Sequence, residues 1–141
     1  MRVYVIPNNP ISLKRPRYSS ITKKMYNSQR GEMLVMSIGL QSQHDDEPLF
    51  EGPLHMDIVF YMPIPQSKSK KEQEALQGQY HISRCDLDNM IKFYCDLGNS
   101  VLYHDDSQIV SISAKKIYDK VPRVEFSISP IKSGEKYDKK V

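Results

Sequence analysis

Between residues 54 and 62 the chain alternates strictly. Leu54, Met56, Ile58, Phe60 and Met62 are separated by His55, Asp57, Val59 and Tyr61. A period of two predicts a strand with one buried face, and Pro63 and Pro65 close it. Similar alternation predicts a strand over residues 2–7, ended by Pro7. It predicts another over 108–118, with Val110, Ile112 and Ala114 on one side, and a last strand through Val124, Phe126 and Ile128. Val101 to Tyr103 predicts a short further strand. The period becomes helical twice. From about Asn27 to Gln41, Met33, Met36 and Leu40 recur at i, i+3 and i+7, and Leu34 and Ile38 lie four apart, with Gly39 near the end. From about Asp88 to Leu97, the residues Leu87, Met90, Ile91, Tyr94 and Leu97 share a face, and Gly98-Asn99 ends the helix. Both stripes read as core packing.

The remaining segments read as connections. Residues 8–25 hold Asn8-Asn9-Pro10, Pro16 and several Ser, Lys and Arg, which predicts an irregular basic loop. Residues 42–53 are acidic and contain Pro48 and Pro53. Residues 66–84 form a second loop, rich in Lys, Gln and Glu up to residue 80. The tail over 131–141 (Lys132, Glu135, Lys136, Asp138, Lys139, Lys140) is charged and expected to fray. There is no internal repeat and no domain boundary. The expected fold is α+β, a single domain over 1–141. It has a small mixed sheet of about five strands and two main helices packed against it.

The length of 141 residues suits one domain and one core. No apolar run approaches the ~20 residues of a membrane span. The opening Met1-Arg2-Val3-Tyr4-Val5-Ile6-Pro7 is too soon broken for a signal peptide. A soluble cytoplasmic protein is expected. Cys85 and Cys95 are two isolated thiols, consistent with a reducing compartment, and read as small packing residues. The four histidines are scattered without zinc spacing. Of these, His81 and His104 read as surface histidines, with a general-base role as the alternative. No Gly-rich phosphate loop is present, so no nucleotide cofactor is expected. Net charge is +3, but it is segregated. Residues 1–30 carry Arg2, Lys14, Arg15, Arg17, Lys23, Lys24 and Arg30 and no acid. Residues 31–64 carry Glu32, Asp45, Asp46, Glu47, Glu51 and Asp57 and no Lys or Arg. Such separation points to an anionic partner.

The chemistry concentrates around the second main helix. Asp86 and Asp88 lie two apart just before it. In an extended segment such residues project to one side. Two carboxylates held together are each harder to ionise, and a divalent cation relieves the repulsion. Mg²⁺ prefers oxygen ligands and takes one or two carboxylates plus water and phosphate. The plainer alternative makes Asp88 or Asn89 the helix N-cap. Lys92 follows Asp88 by one turn, and Asp96 follows by another. They form either ordinary surface pairs of about 0.3–0.5 kcal/mol each, or an ammonium beside metal-binding carboxylates that can hold a phosphate or orient water. Asp105-Asp106-Ser107-Gln108 is a turn that could also deliver a third carboxylate. Three convergent carboxylates are a standard cage for one or two Mg²⁺ ions in phosphodiester hydrolysis.

The stretch from Tyr61 to Tyr118, roughly 40% of the chain, resembles the RusA family of Holliday-junction resolvases. The carrying residues are Met62-Pro63-Ile64-Pro65, the Lys68/Lys70/Lys71 loop, Asp86-Leu87-Asp88-Asn89 with Lys92 and Asp96, and Asp105-Asp106-Ser107-Gln108-Ile109-Val110 with Lys116. The resemblance implies that Asp86, Asp88 and Asp106 bind Mg²⁺ (or Mn²⁺ in its place) and that Lys92 is catalytic, with Asn89, Asp96, Asp105 and Lys116 in support. Asp96 is expected to hold Lys92. It also implies a homodimer that nicks two opposed strands of a four-way DNA junction. Lys14, Arg15, Arg17, Lys68, Lys70, Lys71 and Arg84 are the expected contacts to the DNA backbone. Two features depart from the family. Cys85 stands where the family usually has Pro, and Asp96-Leu97-Gly98-Asn99 where it usually has Asp-Ala-Leu-Asn. The connection to the Asp pair is about one residue shorter than in some members, which leaves Asp105 open beside Asp106 as third ligand. A general structure-specific nuclease and a non-catalytic branched-DNA-binding protein are the alternatives.

Overall fold

The computed structural model describes residues 1–132, 134 and 136–138. Of the tail expected to fray, Glu135, Lys139 and Lys140 lie outside the described residues. The elements in order are β1 (Arg2–Pro7), β2 (Arg17–Ser19), β3 (Lys24–Tyr26), α1 (Arg30–Gln43), β4 (Leu54–Pro63), α2 (Lys70–Leu76), α3 (Leu87–Leu97), a 3₁₀ turn (Asp106–Gln108), β5 (Ile109–Asp119) and β6 (Arg123–Pro130). The expected α+β class is what folds. The main sheet has four strands in the order β1-β6-β4-β5, and β2 and β3 form a separate hairpin. The β4–β5 pairing is parallel, and β6 runs antiparallel to both β1 and β4. A parallel pair needs a long crossover, and here α2 and α3 supply it.

The core is the inward side of the alternation. Leu54, Met56, Ile58, Phe60 and Met62 of β4, Val124, Phe126 and Ile128 of β6, and Tyr4 and Ile6 of β1 are all buried. They pack against Met90, Phe93, Tyr94, Cys95 and Leu97 of α3 and Leu40 of α1. Helix α1 is less committed than its pattern suggests. Met33 and Met36 only border the core, while Leu34, Val35 and Ile38 are exposed.

Three predicted segments differ. Val101 to Tyr103 is a turn rather than a strand. Tyr103 is buried there, and its hydroxyl donates to the Cys95 carbonyl. Gly98 is required by this packing, because a Cβ would lie 2.5 Å from the Tyr103 hydroxyl oxygen. The 66–84 loop contains α2, started by a reciprocal cap. Ser69 Oγ accepts from Glu72 N at 3.2 Å, and Glu72 Oε1 accepts from Ser69 N at 3.3 Å. The 8–25 loop contains the β2–β3 hairpin and is tied to α3. Leu13 N donates to the Asn89 carbonyl at 3.1 Å, and Ile11 N to the Tyr94 hydroxyl at 3.1 Å. The buried Gln29 braces the same stretch, bonding Lys14 N and the Ser12 carbonyl.

Candidate active site

Asp86 is the N-cap of α3, but its side chain makes no capping hydrogen bond. Neither Asp88 nor Asn89 is the cap. The two carboxylates at the helix start are therefore not used to close the helix, and both residues are exposed. The residue before them is unusual. Cys85 has φ 87°, in the left-handed region that side chains other than glycine rarely take. Proline cannot reach that angle, so the departure from the family's usual Pro is matched by the local backbone. Cys85 is exposed, which corrects its reading as a packing residue. Cys95 is buried as expected.

Asp105 and Asp106 do different things. Asp105 caps the 3₁₀ turn through Oδ2, which accepts from Ser107 N at 3.3 Å. Hydrogen bonds to Ser107 hold its carboxyl below the usual range. Gln108 completes the turn, accepting from His104 N and Asp105 N and donating to the Phe50 and Gly52 carbonyls. Asp106 makes no such local contact and instead comes within hydrogen-bonding reach of Asp96. Burial first, and then the hydrogen bond and charge of Asp106, push the Asp96 carboxyl up to about 6.

The expected hold of Asp96 on Lys92 is thus replaced by a carboxyl–carboxyl pair. Among the described residues Lys92 has no ion pair with Asp88 or Asp96. The carboxylates are also spread out. Asp88 and Asp96 are eight residues apart on one helix, or about 12 Å along its axis. Among the described residues no three His, Cys, Asp or Glu groups stand close enough to hold a metal ion. Asp86, Asp88 and Asp106 are therefore not gathered into one cage. The donor chemistry still suits a hard divalent cation. Every candidate ligand is a carboxylate, and Asp96 and Asp106 bring two of them together. A groove of about 570 Å³, lined by Arg30, Met33, Ser37 and Asn99 among others, opens beside Asp96.

Lys116 is half-buried, and its Nζ donates to the carbonyls of Cys85 at 2.8 Å and Ser83 at 3.4 Å. Lys14, Arg15, Arg17, Lys68, Lys70, Lys71 and Arg84 are all exposed, and none has an ion pair among the described residues. His104 is exposed and bonds Glu51 at 2.7 Å. His81 is half-buried and packs on Tyr118, with ring centroids 4.8 Å apart, so it is not a surface histidine. Desolvation, followed by the Lys116 charge, lowers its pKa. Gln29, the N-cap residue of α1, and the 11–14 tether to α3 carry no signal in the sequence, since a single buried glutamine leaves no periodic pattern.

Residues 7–129 match the endodeoxyribonuclease RusA family. The chain belongs to the RusA family. It is 32% identical over 135 residues to the uncharacterized protein YqaN of Bacillus subtilis strain 168, covering 91% of this chain and 95% of that protein. It is 36% identical over 80 residues to the crossover junction endodeoxyribonuclease RusA of Lactococcus phage r1t, covering 56% of each chain. Membership of RusA makes the chain an endodeoxyribonuclease by family, and places α3 and the 3₁₀ turn inside the matched region.

Proposed function

We propose that this protein resolves Holliday junctions in DNA recombination and repair, by paired Mg²⁺-dependent hydrolysis of phosphodiester bonds. The observation that carries the reading is the RusA match over residues 7–129, which contains the whole Asp86–Asp106 constellation. Asp86, Asp88 and Asp106 are assigned as metal-holding carboxylates. The free Asp86 carboxylate and the use of Asp105 as a cap support that choice. Because Asp106 pairs with Asp96 here, the three come together when the metal binds. A bound Mg²⁺ (or Mn²⁺) would supply water activation and charge neutralisation at the leaving oxygen.

The chain's own groups do the rest. Lys92, exposed and without an ion pair among the described residues, stands one turn after Asp88, where it is placed to hold the phosphate and offset developing charge. Asn89 holds the basic arm, since its carbonyl accepts from Leu13 N. Asp96 restrains Asp106. Lys14, Arg15 and Arg17 on the arm, Lys68, Lys70 and Lys71 at α2, and Arg84 meet the DNA backbone. Two opposed nicks need two sites, so the working form is a homodimer. Among the described residues no helix is long and apolar enough to cross a membrane, and we place the enzyme in the cytoplasm with its DNA.

The test is cleavage of a synthetic four-way junction against matched linear duplex, with Mg²⁺ or EDTA, using wild type and Asp88→Asn. Paired metal-dependent nicks on the junction alone, absent in the variant, are expected. Cutting of every substrate would make the protein a general structure-specific nuclease. Tight junction binding without cutting would make it a non-catalytic branched-DNA binder.

A further inference from the structure

Segment 78–85 runs along the free edge of β5. Gly78 N donates to the Tyr118 carbonyl at 3.0 Å, Tyr118 N to the Gln79 carbonyl at 2.9 Å, and His81 N to the Lys116 carbonyl at 3.0 Å. β5 is the outermost strand of the sheet, so this pairing covers part of an edge that would otherwise be open. Beyond His81 no backbone pairing of the segment to β5 is present among the described residues. The contact is taken over by a side chain. Lys116 Nζ reaches the Cys85 carbonyl at 2.8 Å and the Ser83 carbonyl at 3.4 Å.

The tethered residue is the one with φ 87°, immediately before Asp86. A left-handed non-glycine residue persists only where its surroundings over-determine it. Here the determinants are the ammonium on its carbonyl and the helix that begins at Asp86. Two carbonyls occupy donors of Lys116, and an ammonium has only three. Its neighbour Lys115 is exposed, as an ordinary edge-strand charge would be, whereas Lys116 is half-buried and faces the α3 side of the sheet, in register with buried Phe60.

We propose that Lys116 is a positioning residue. It clamps the Ser83–Cys85 backbone and thereby sets the direction in which Asp86 and Asp88 leave the β5 edge and enter α3. The proposal rests on the reading of those aspartates as metal ligands. Groups that orient ligands without touching the metal typically matter by about 10- to 100-fold in affinity or activity.

The test uses the full chain with Lys116→Met, which keeps the stem but loses the donors, and Lys116→Arg, which keeps them. Amide hydrogen exchange over 82–88 and Mn²⁺ binding followed by electron paramagnetic resonance are read beside junction cleavage. Lys116→Met should speed exchange in 82–88 while exchange in β6 stays as in wild type. It should weaken Mn²⁺ binding about tenfold and leave junction affinity in EDTA unchanged. Lys116→Arg should recover most of the Mn²⁺ affinity. Wild-type exchange and Mn²⁺ affinity in Lys116→Met would overturn the clamp. So would a loss confined to junction affinity in EDTA, which would make Lys116 a phosphate contact. A wild-type chain that binds no Mn²⁺ would sink the metal-site reading itself, and is distinct from failure of the clamp with wild-type binding intact.

Discussion

Arg123, at the start of β6, has every neighbour matched to it. Its guanidinium donates to Asp119 Oδ2 and Glu125 Oε1, each at 2.8 Å, and lies 3.8 Å from the centre of the Tyr61 ring. Asp119 also accepts from Val121 N, which closes the β5–β6 corner. Along α3 the pattern reverses. Asp86, Asp88 and Lys92 are exposed and have no ion pair among the described residues, and Asp96 meets another carboxylate. A corner that only has to hold its shape satisfies its charges internally. A face that leaves like charges side by side gives up stability, and that cost is expected where an external cation or anion completes the set. The seven exposed basic residues of the arm, α2 and Arg84 fall on the α3 side of this divide.

Salt should separate the two groups most strongly. Junction affinity is expected to fall on the order of 10³-fold between about 50 and 200 mM salt, because counterions are released when lysines and arginines meet phosphates. Lys14→Ala, Arg15→Ala and Arg17→Ala together should flatten the log–log slope by about 3 for each subunit bound. Arg123→Ala should not change it. A binding titration that is flat in salt would end the assignment of the arm to DNA.

Stability should respond in the opposite sense. Arg123→Ala strands Asp119 and Glu125 and uncovers Tyr61. The expected loss is about 2 kcal/mol, seen as a fall of roughly 6 °C in Tm, with junction cleavage at a permissive temperature unchanged. Lys92→Ala should do the reverse, leaving Tm in place while cleavage drops by about 10²- to 10³-fold. If Arg123→Ala lost activity while keeping its Tm, the corner would not be the purely structural region it is taken for.

What could be read from the sequence follows the same division. β4 was legible because burial of one face imposes a period of two on five consecutive pairs, and α3 because one face carries most of its apolar residues. α2 was hidden although Ser69 and Glu72 spell its cap, since none of its residues is buried and no apolar stripe marks it. Val101–Tyr103 looked like a strand because three apolar residues in a row are ambiguous. The packing of Tyr103 beneath Gly98 settles it as a turn. The carboxylates of α3 were found as types and spacing, but their partners were not. An i,i+4 pair contributes little, so Lys92–Asp96 yields to the contact of Asp96 with Asp106, ten residues away on another element. Lys116 bonding to carbonyls 31 and 33 residues earlier leaves no pattern in the chain at all.

The smallest expected effect tests the like-charge pair directly. The Asp96 carboxyl is raised from 3.8 to about 6, first by burial and then by Asp106. Its neutral form is therefore favoured by folding. As pH rises from 3.8 towards 6, the unfolded chain gives up this proton before the folded one does, so the stability of the metal-free protein falls across that window and stays lower above it. Asp96 is only half-buried, and solvent screening keeps the effect to about 1 kcal/mol or less. Asp96→Asn should remove this part of the slope and raise the Tm of the metal-free protein at pH 7 by roughly 3 °C, while lowering cleavage. Mg²⁺ at pH 7 should raise the Tm of wild type more than that of Asp96→Asn, since the cation relieves repulsion that the variant no longer has. Thermal melts at pH 5 and pH 7, with EDTA and with Mg²⁺, measure all of this. A variant less stable than wild type at pH 7 would mean that Asp96 and Asp106 stabilise the fold together, as the charges of the Arg123 corner do.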